Sequence, residues 1–178
     1  MMIKPVHARL VMAATALVGA FVSAYLLDVY LTGGAIICGA VQHGCDAVRA
    51  SRWAYVLDTV PRPALGLAFY AAFFVLLCLR PSIRKHADRL RQLTWVLAAV
   101  GAFESVYLFL IQAVAIKAYC LWCLASSVCC LIIAACAFFD RKESVSAAAA
   151  AQELRAYLWL FLGYAPLAAG LFWYLTRF

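Results

Sequence analysis

An all-α integral membrane protein is the fold class this sequence predicts, on three observations. Hydrophobic residues make up 68% of the 178-residue chain and charged residues only 13%, whereas a soluble domain is nearer half apolar. Apolar runs long enough to cross a bilayer, which takes about 20 residues, recur along the chain. The charges collect between those runs. The net charge of +7 therefore carries topology information, and no segment mixing basic and aromatic residues suggests a nucleic-acid partner.

The first span follows Lys4, His7 and Arg9 and runs from Leu10 to about Leu31, interrupted only by Asp28. Val22-Ser23-Ala24 imitates a signal-peptidase site, but the apolar run continues through Leu26 and Leu27, so an uncleaved helix is expected. Gly33-Gly34 ends it. A loop over about 32–60 carries Cys38 and Cys45, and its glycines make it bendable. Asp46 is placed to cap a short interfacial helix bearing Trp53 and Tyr55. His43 is read as a solvated side chain, with a role in lowering the Cys45 pKa as the alternative.

Pro61 and Pro63 introduce the second span, about 61–79. A basic connector (Arg80, Arg84, Lys85, Arg89, Arg91) leads to the third span, about 93–116, whose one charge is Glu104. Lys117 marks its exit. The fourth span is expected over 118–139, followed by a polar, alanine-rich connector over 140–153. The fifth span is expected over 156–176. The whole chain reads as one transmembrane domain, 1–178.

The positive-inside rule orients these spans. With the N-terminus in the cytoplasm, ten of the 15 Lys and Arg lie inside. Arg49, Arg52, Arg62, Lys117 and Arg177 lie outside. The same orientation brings Cys38, Cys45, Cys120 and Cys123 to the outer face, the periplasmic side of an inner (plasma) membrane. Cys78, Cys129, Cys130 and Cys136 lie within apolar runs and are read as packing residues.

Tyr119-Cys120-Leu121-Trp122-Cys123 is the stretch with the most chemistry. Cysteines at i and i+3 share a helix face and are close enough to bond. A helix start stabilises a thiolate through its free N–H groups and dipole. Two cysteine pairs on one face can pass a disulfide between them by thiolate attack. A mobile Cys38/Cys45 pair suits a soluble thiol protein, and a fixed Cys120/Cys123 pair at the lipid boundary suits a membrane quinone as two-electron acceptor. Glu104 is either a proton source for such an acceptor or a neutral acid bonded to a neighbouring helix, and Tyr107 shares its helix face. Trp122 is either an interfacial anchor or a wall of the acceptor pocket.

These residues resemble the vitamin K epoxide reductase family, including its bacterial disulfide-forming members. The carriers are Cys38, then Cys45-Asp46-Ala47-Val48-Arg49-Ala50-Ser51-Arg52-Trp53, then Pro63-Ala64-Leu65-Gly66-Leu67-Ala68-Phe69-Tyr70, and the late C-x-x-C. Their order differs from that of the DsbB-type quinone-linked oxidases, in which the C-x-x-C comes first. The resemblance implies a four-helix bundle around a quinone (ubiquinone or menaquinone) with a peripheral fifth helix. It implies that Cys38 takes electrons from a partner, that Cys45 exchanges with Cys120, and that Cys123 and the loop residue Ser51 sit near the quinone. Ser127 stands where the animal enzymes carry a tyrosine close to the quinone, which argues against vitamin K epoxide as the substrate. No fused thioredoxin-like domain is seen, so the expected partner is a separate thioredoxin-like or DsbA-like thiol protein. The competing readings are a transmembrane thiol relay through Cys78 and Cys136, a maturation factor for a cysteine-rich client, and a metal-binding membrane protein, which the C-x6-C spacing fits poorly.

Overall fold

The computed structural model describes residues 5–34, 36–38, 42–57, 59–140 and 147–177. Helices dominate it, as the composition requires: α1 (Pro5–Thr32), α2 (Gln42–Ala50), α3 (Arg62–Ser82), α4 (Ala87–Leu110), α5 (Leu121–Phe139) and α6 (Ala147–Arg177). All but α2 are long and apolar enough to cross a membrane. The protein is an all-α membrane protein. Between α2 and α3 a short 3₁₀ turn leads into a minimal antiparallel hairpin, β1 (Tyr55–Val56) and β2 (Val60–Pro61).

In the bundle, α1 packs against α3 and α5, and α4 against α5 and α3, while α6 lies outside against α1 and α3. Close helix approach depends on glycine where it matters most. A methyl group on Gly101 of α4 would come within 2.5 Å of the Phe69 ring of α3, so the α3–α4 seam closes there because no side chain intervenes. The core has two parts. One, built on Met12, Tyr70, Phe73, Leu77 and Ile133, takes in the buried Cys129 and Cys130 and is flanked by Cys78 and Cys136. These four are free thiols in apolar packing, as their sequence context predicts. The other part, built on Val22, Tyr25, Leu26 and Val29, encloses Cys38, Cys45 and Cys120.

Several boundaries differ from the sequence expectation for physical reasons. Helix α2 starts at Gln42, so Asp46 lies inside it, exposed, and does not cap it. Pro61 caps α3 and Pro63 follows within its first turn. Helix α4 begins at Ala87, six residues before the expected start, because the mostly polar residues 87–92 extend the helix beyond the apolar run. At its other end it widens into a π-helical segment, Ile111–Ile116, and stops at Lys117, whose φ of 55° is left-handed. Helix α5 starts at Leu121, three residues later than expected. Helix α6 starts by Ala147, within the expected connector, since its alanine-rich stretch is strongly helix-forming.

At the end of the bundle away from Cys38, Cys45, Cys120 and Cys123, charge is buried. Arg9 Nε lies 3.1 Å from Asp140 Oδ1, Arg9 Nη1 lies 3.2 Å from Glu153 Oε2, and Arg80 Nη1 lies 2.5 Å from Asp140 Oδ2. The Tyr157 hydroxyl donates to Glu153 Oε1 at 2.6 Å. Two guanidiniums and two carboxylates cancel, which is the condition for burying them. The network ties together α1, α3, α6 and the C-cap of α5.

Candidate functional site

The site is built where the polypeptide turns from α4 into α5. In the π-helical segment the buried Gln112 fixes that turn. Its carbonyl accepts from the N–H groups of Lys117 and Ala118, and its side-chain Oε1 accepts the Cys120 N–H at 2.8 Å. Cys120 is the N-cap of α5, and the Cys123 N–H donates to its sulfur at 3.3 Å. The Cys123 thiol donating to it holds the Cys120 thiol below its ordinary pKa, with the N–H groups of Cys123 and Trp122 adding to this, against burial that pushes it up. The two cysteines are free thiols here.

Cys38 and Cys45 are joined in a disulfide, with 6.5 Å between their Cα atoms. Both are only 1% exposed, so here the pair is packed into the core rather than standing free in the loop. Two features hold it in. The Ile37 N–H donates to the Tyr25 hydroxyl at 3.1 Å, and the Ile37 carbonyl accepts from Trp122 Nε1 at 2.8 Å. The Trp122 ring also stacks 4.8 Å from that of Tyr25. On the other side α2 seats directly on the segment before the C-x-x-C: any side chain at Gly44 would collide with the Tyr119 carbonyl. Arg49 anchors α2 to the end of α1 through the Gly34 carbonyl at 2.6 Å. Cys45 and Cys120 therefore share one small apolar core. The His43 side chain and residues 39–41 lie outside the described residues.

Beside the cysteines a cavity of about 560 Å³ opens between α1, α3, α4 and α5, with Val48, Trp53, Ala54 and Val56 on its loop side. Cys123 is in its wall, with Phe69, Tyr70, Ser126 and Ser127. The Tyr70 hydroxyl donates to the Ser126 carbonyl at 2.7 Å and lies 3.1 Å from Cys130 Sγ. Glu104 is in the wall as well, ion-paired to Arg62 of α3. Glu104 is thus bonded to a neighbouring helix, and Arg62 is the partner that sequence reading did not supply. Its one sequence signal is a lone arginine at the first position of a membrane span.

Three expected pocket residues stand elsewhere. The Ser51 hydroxyl donates to the Val48 carbonyl at 2.7 Å and closes the end of α2. Trp122 clips the Cys38 segment. Tyr107, 38% exposed on the outer side of α4, lies under the Arg62 guanidinium, whose central carbon is 6.0 Å from the ring centroid. None of the three lines the cavity. Conversely, Gln112 and Arg62 are in the wall and follow from no sequence pattern, while Tyr70, one of the residues that carry the family resemblance, lines it too.

A cavity of this size is in the range that holds a drug-sized organic ligand, about 300–1,000 Å³. Its apolar and aromatic wall with a few hydroxyl, amide and charged groups suits a ring bearing two carbonyls, so the residues present fit a quinone. A disulfide and a dithiol share one core, and the dithiol borders this cavity. Residues 10–138 match the model of the vitamin K epoxide reductase family, and on that match, which covers well over half of its length, the chain belongs to that family.

Proposed function

We propose that this membrane thiol–disulfide oxidoreductase oxidises a separate thioredoxin-like protein on the extracytoplasmic side and passes the electrons to a membrane quinone. The observation that carries the reading is the position of Cys123, in the wall of the cavity and one helical turn from a Cys120 that shares a core with the Cys38–Cys45 disulfide. A partner thiolate attacks Cys38, and the partner's second thiol resolves the mixed disulfide. The partner leaves oxidised, with Cys38 and Cys45 reduced. The Cys45 thiolate then attacks Cys120 of a Cys120–Cys123 disulfide, Cys123 leaves as thiolate, and Cys38 resolves the intermediate. Cys120 and Cys123 are now the dithiol, and re-forming their disulfide releases two electrons and two protons.

A bound quinone supplies the two-electron sink and takes up two protons. Within this chain, Phe69 and Tyr70 would hold its ring, and Ser126, Ser127 and Gln112 would meet its polar edges. Cys120 carries the stabilised thiolate. The Arg62–Glu104 pair stands at the cavity edge, where its polar groups would face the quinone. Placing the cysteine end outside the cytoplasm rests on the ten-to-five split of basic residues.

The test is quinone reduction by purified protein given a reduced thioredoxin-like donor and a short-chain quinone. Turnover is expected in the wild type and should vanish in Cys120→Ala and Cys123→Ala whatever the donor. Cys38→Ala should lose the protein donor and keep part of the reaction with a small dithiol. Wild-type turnover of Cys38→Ala with the protein donor would remove the shuttle assignment. Absence of turnover with both ubiquinone and menaquinone analogues would remove the quinone.

A further inference from the structure

A second cavity lies at the opposite end of the bundle, far from the redox site. It has a volume of about 480 Å³ and is walled by Arg91, Gln92, Thr94, Trp95 and Val96 of α4 and by Ala137 and Asp140 at the end of α5. Its chemistry differs from that of the redox cavity. Arg91 Nε is buried and is the one buried side-chain nitrogen or oxygen among the described residues without a hydrogen-bond partner. Guanidinium N–H groups are costly to bury unpaired. Asp140, the acid in the same wall, is not available to it: Arg9 and Arg80 occupy both of its oxygens, and with Glu153 those groups sum to zero charge. Arg91 therefore offers the cavity a buried guanidinium N–H that no side chain in its wall satisfies.

The surroundings point to a ligand with a phosphate at one end and apolar chains at the other. Trp95 is 53% exposed and Val96 54% exposed, one turn further into the span than Arg91, so the cavity opens along the lipid-facing side of the α4–α5 seam. Aromatic side chains at this level sit at lipid headgroups. The stretch leading into α4 carries Arg84, Lys85 and Arg89 against one acid, Asp88, a net positive charge that draws anionic lipid towards the same end. Basic pockets between membrane helices are suited to phosphate headgroups, and the forked guanidinium matches a phosphate better than a lysine would.

We infer that this cavity is a binding site for the phosphate of an anionic phospholipid, with Arg91 as its anchor, Gln92 and Thr94 lining it, and Trp95 against the acyl chains.

The experiment measures the thermal midpoint of the full chain in detergent on adding short-chain phosphatidylglycerol, diacylglycerol of equal chain length, or inorganic phosphate. Wild type should be stabilised by phosphatidylglycerol and not by diacylglycerol. Arg91→Gln should require about five- to tenfold more phosphatidylglycerol for the same shift. Arg91→Lys, which keeps the charge but not the fork, should fall between, and it serves where the glutamine variant fails to fold. An Arg91-dependent shift with inorganic phosphate would assign the phosphate to a soluble source. Equal shifts in wild type and both variants, an equal effect of diacylglycerol, or no shift with any addition would overturn the site.

Discussion

The lowered pKa of the Cys120 thiol comes from what surrounds one sulfur atom. The N-cap position and the Cys123 thiol act on it directly, and the Gln112 amide holds the backbone N–H of the same residue. The motif alone indicates the first two, since C-x-x-C at the start of an apolar run implies a helix N-terminus. Gln112 is not legible, because it acts through a π-helical widening that no periodicity announces. With the folded pKa of Cys120 depressed, its thiolate forms at lower pH than an ordinary cysteine's. Alkylation of reduced protein by a small reagent should therefore titrate below the usual thiol range, and Cys123→Ala should move that midpoint upward by removing the donor. Mass-spectrometric quantification of the Cys120 adduct across pH reads this directly, and an unmoved midpoint would assign the depression to the backbone alone. Gln112→Leu should leave the Cys120 N–H buried and unpaired, at a cost of about 1–3 kcal/mol. Denaturant unfolding in micelles checks the loss.

Among the elements, the proposed exchange depends most on the short α2. It carries Cys45, and it reaches the C-x-x-C segment because Gly44 has no side chain to collide with the Tyr119 carbonyl. Gly44→Val should push α2 away and slow exchange between Cys45 and Cys120 by about tenfold or more, the order expected for ångström-scale misplacement of reacting groups. Reduction of quinone by a small dithiol acting directly on Cys120–Cys123 should be nearly unchanged. Stopped-flow measurement of both half-reactions separates the two, and an equal loss in both would mean that the substitution disturbs α5 instead. The clip on the Cys38 segment has the opposite sense. Trp122→Phe keeps the stacking surface against Tyr25 but removes the hydrogen bond to the Ile37 carbonyl. The Cys38–Cys45 disulfide should then be reduced faster by a small phosphine. An unchanged rate would show that access is limited elsewhere.

At the scale of the whole molecule, hydropathy alone specifies the spans, because a bilayer demands continuous apolar helices and leaves few alternatives. The side-chain partnerships that fasten the spans follow no local pattern. Arg62 and Glu104 are 42 residues apart, and Arg9 meets Asp140 and Glu153 across 131 and 144. In sequence, Arg9 and Arg80 read as topology signals and Asp140 as a connector residue, yet all are buried. Their network should therefore act as a fastener. Asp140→Asn leaves Arg9, Arg80 and Glu153 together with one unbalanced positive charge, and breaking a buried network in this way costs about 3–5 kcal/mol. Asp140→Asn combined with Arg80→Met restores neutrality, since Arg9 and Glu153 remain paired, and most of the stability should return. Because Glu153 and Tyr157 belong to α6, the single variant should also release that outer helix first, visible as earlier proteolysis after Asp140 than within α1–α5. Equal stability of Asp140→Asn and wild type, or no recovery in the double variant, would mean that apolar packing of α6 on α1 and α3 holds the bundle and that the charges are tolerated rather than required.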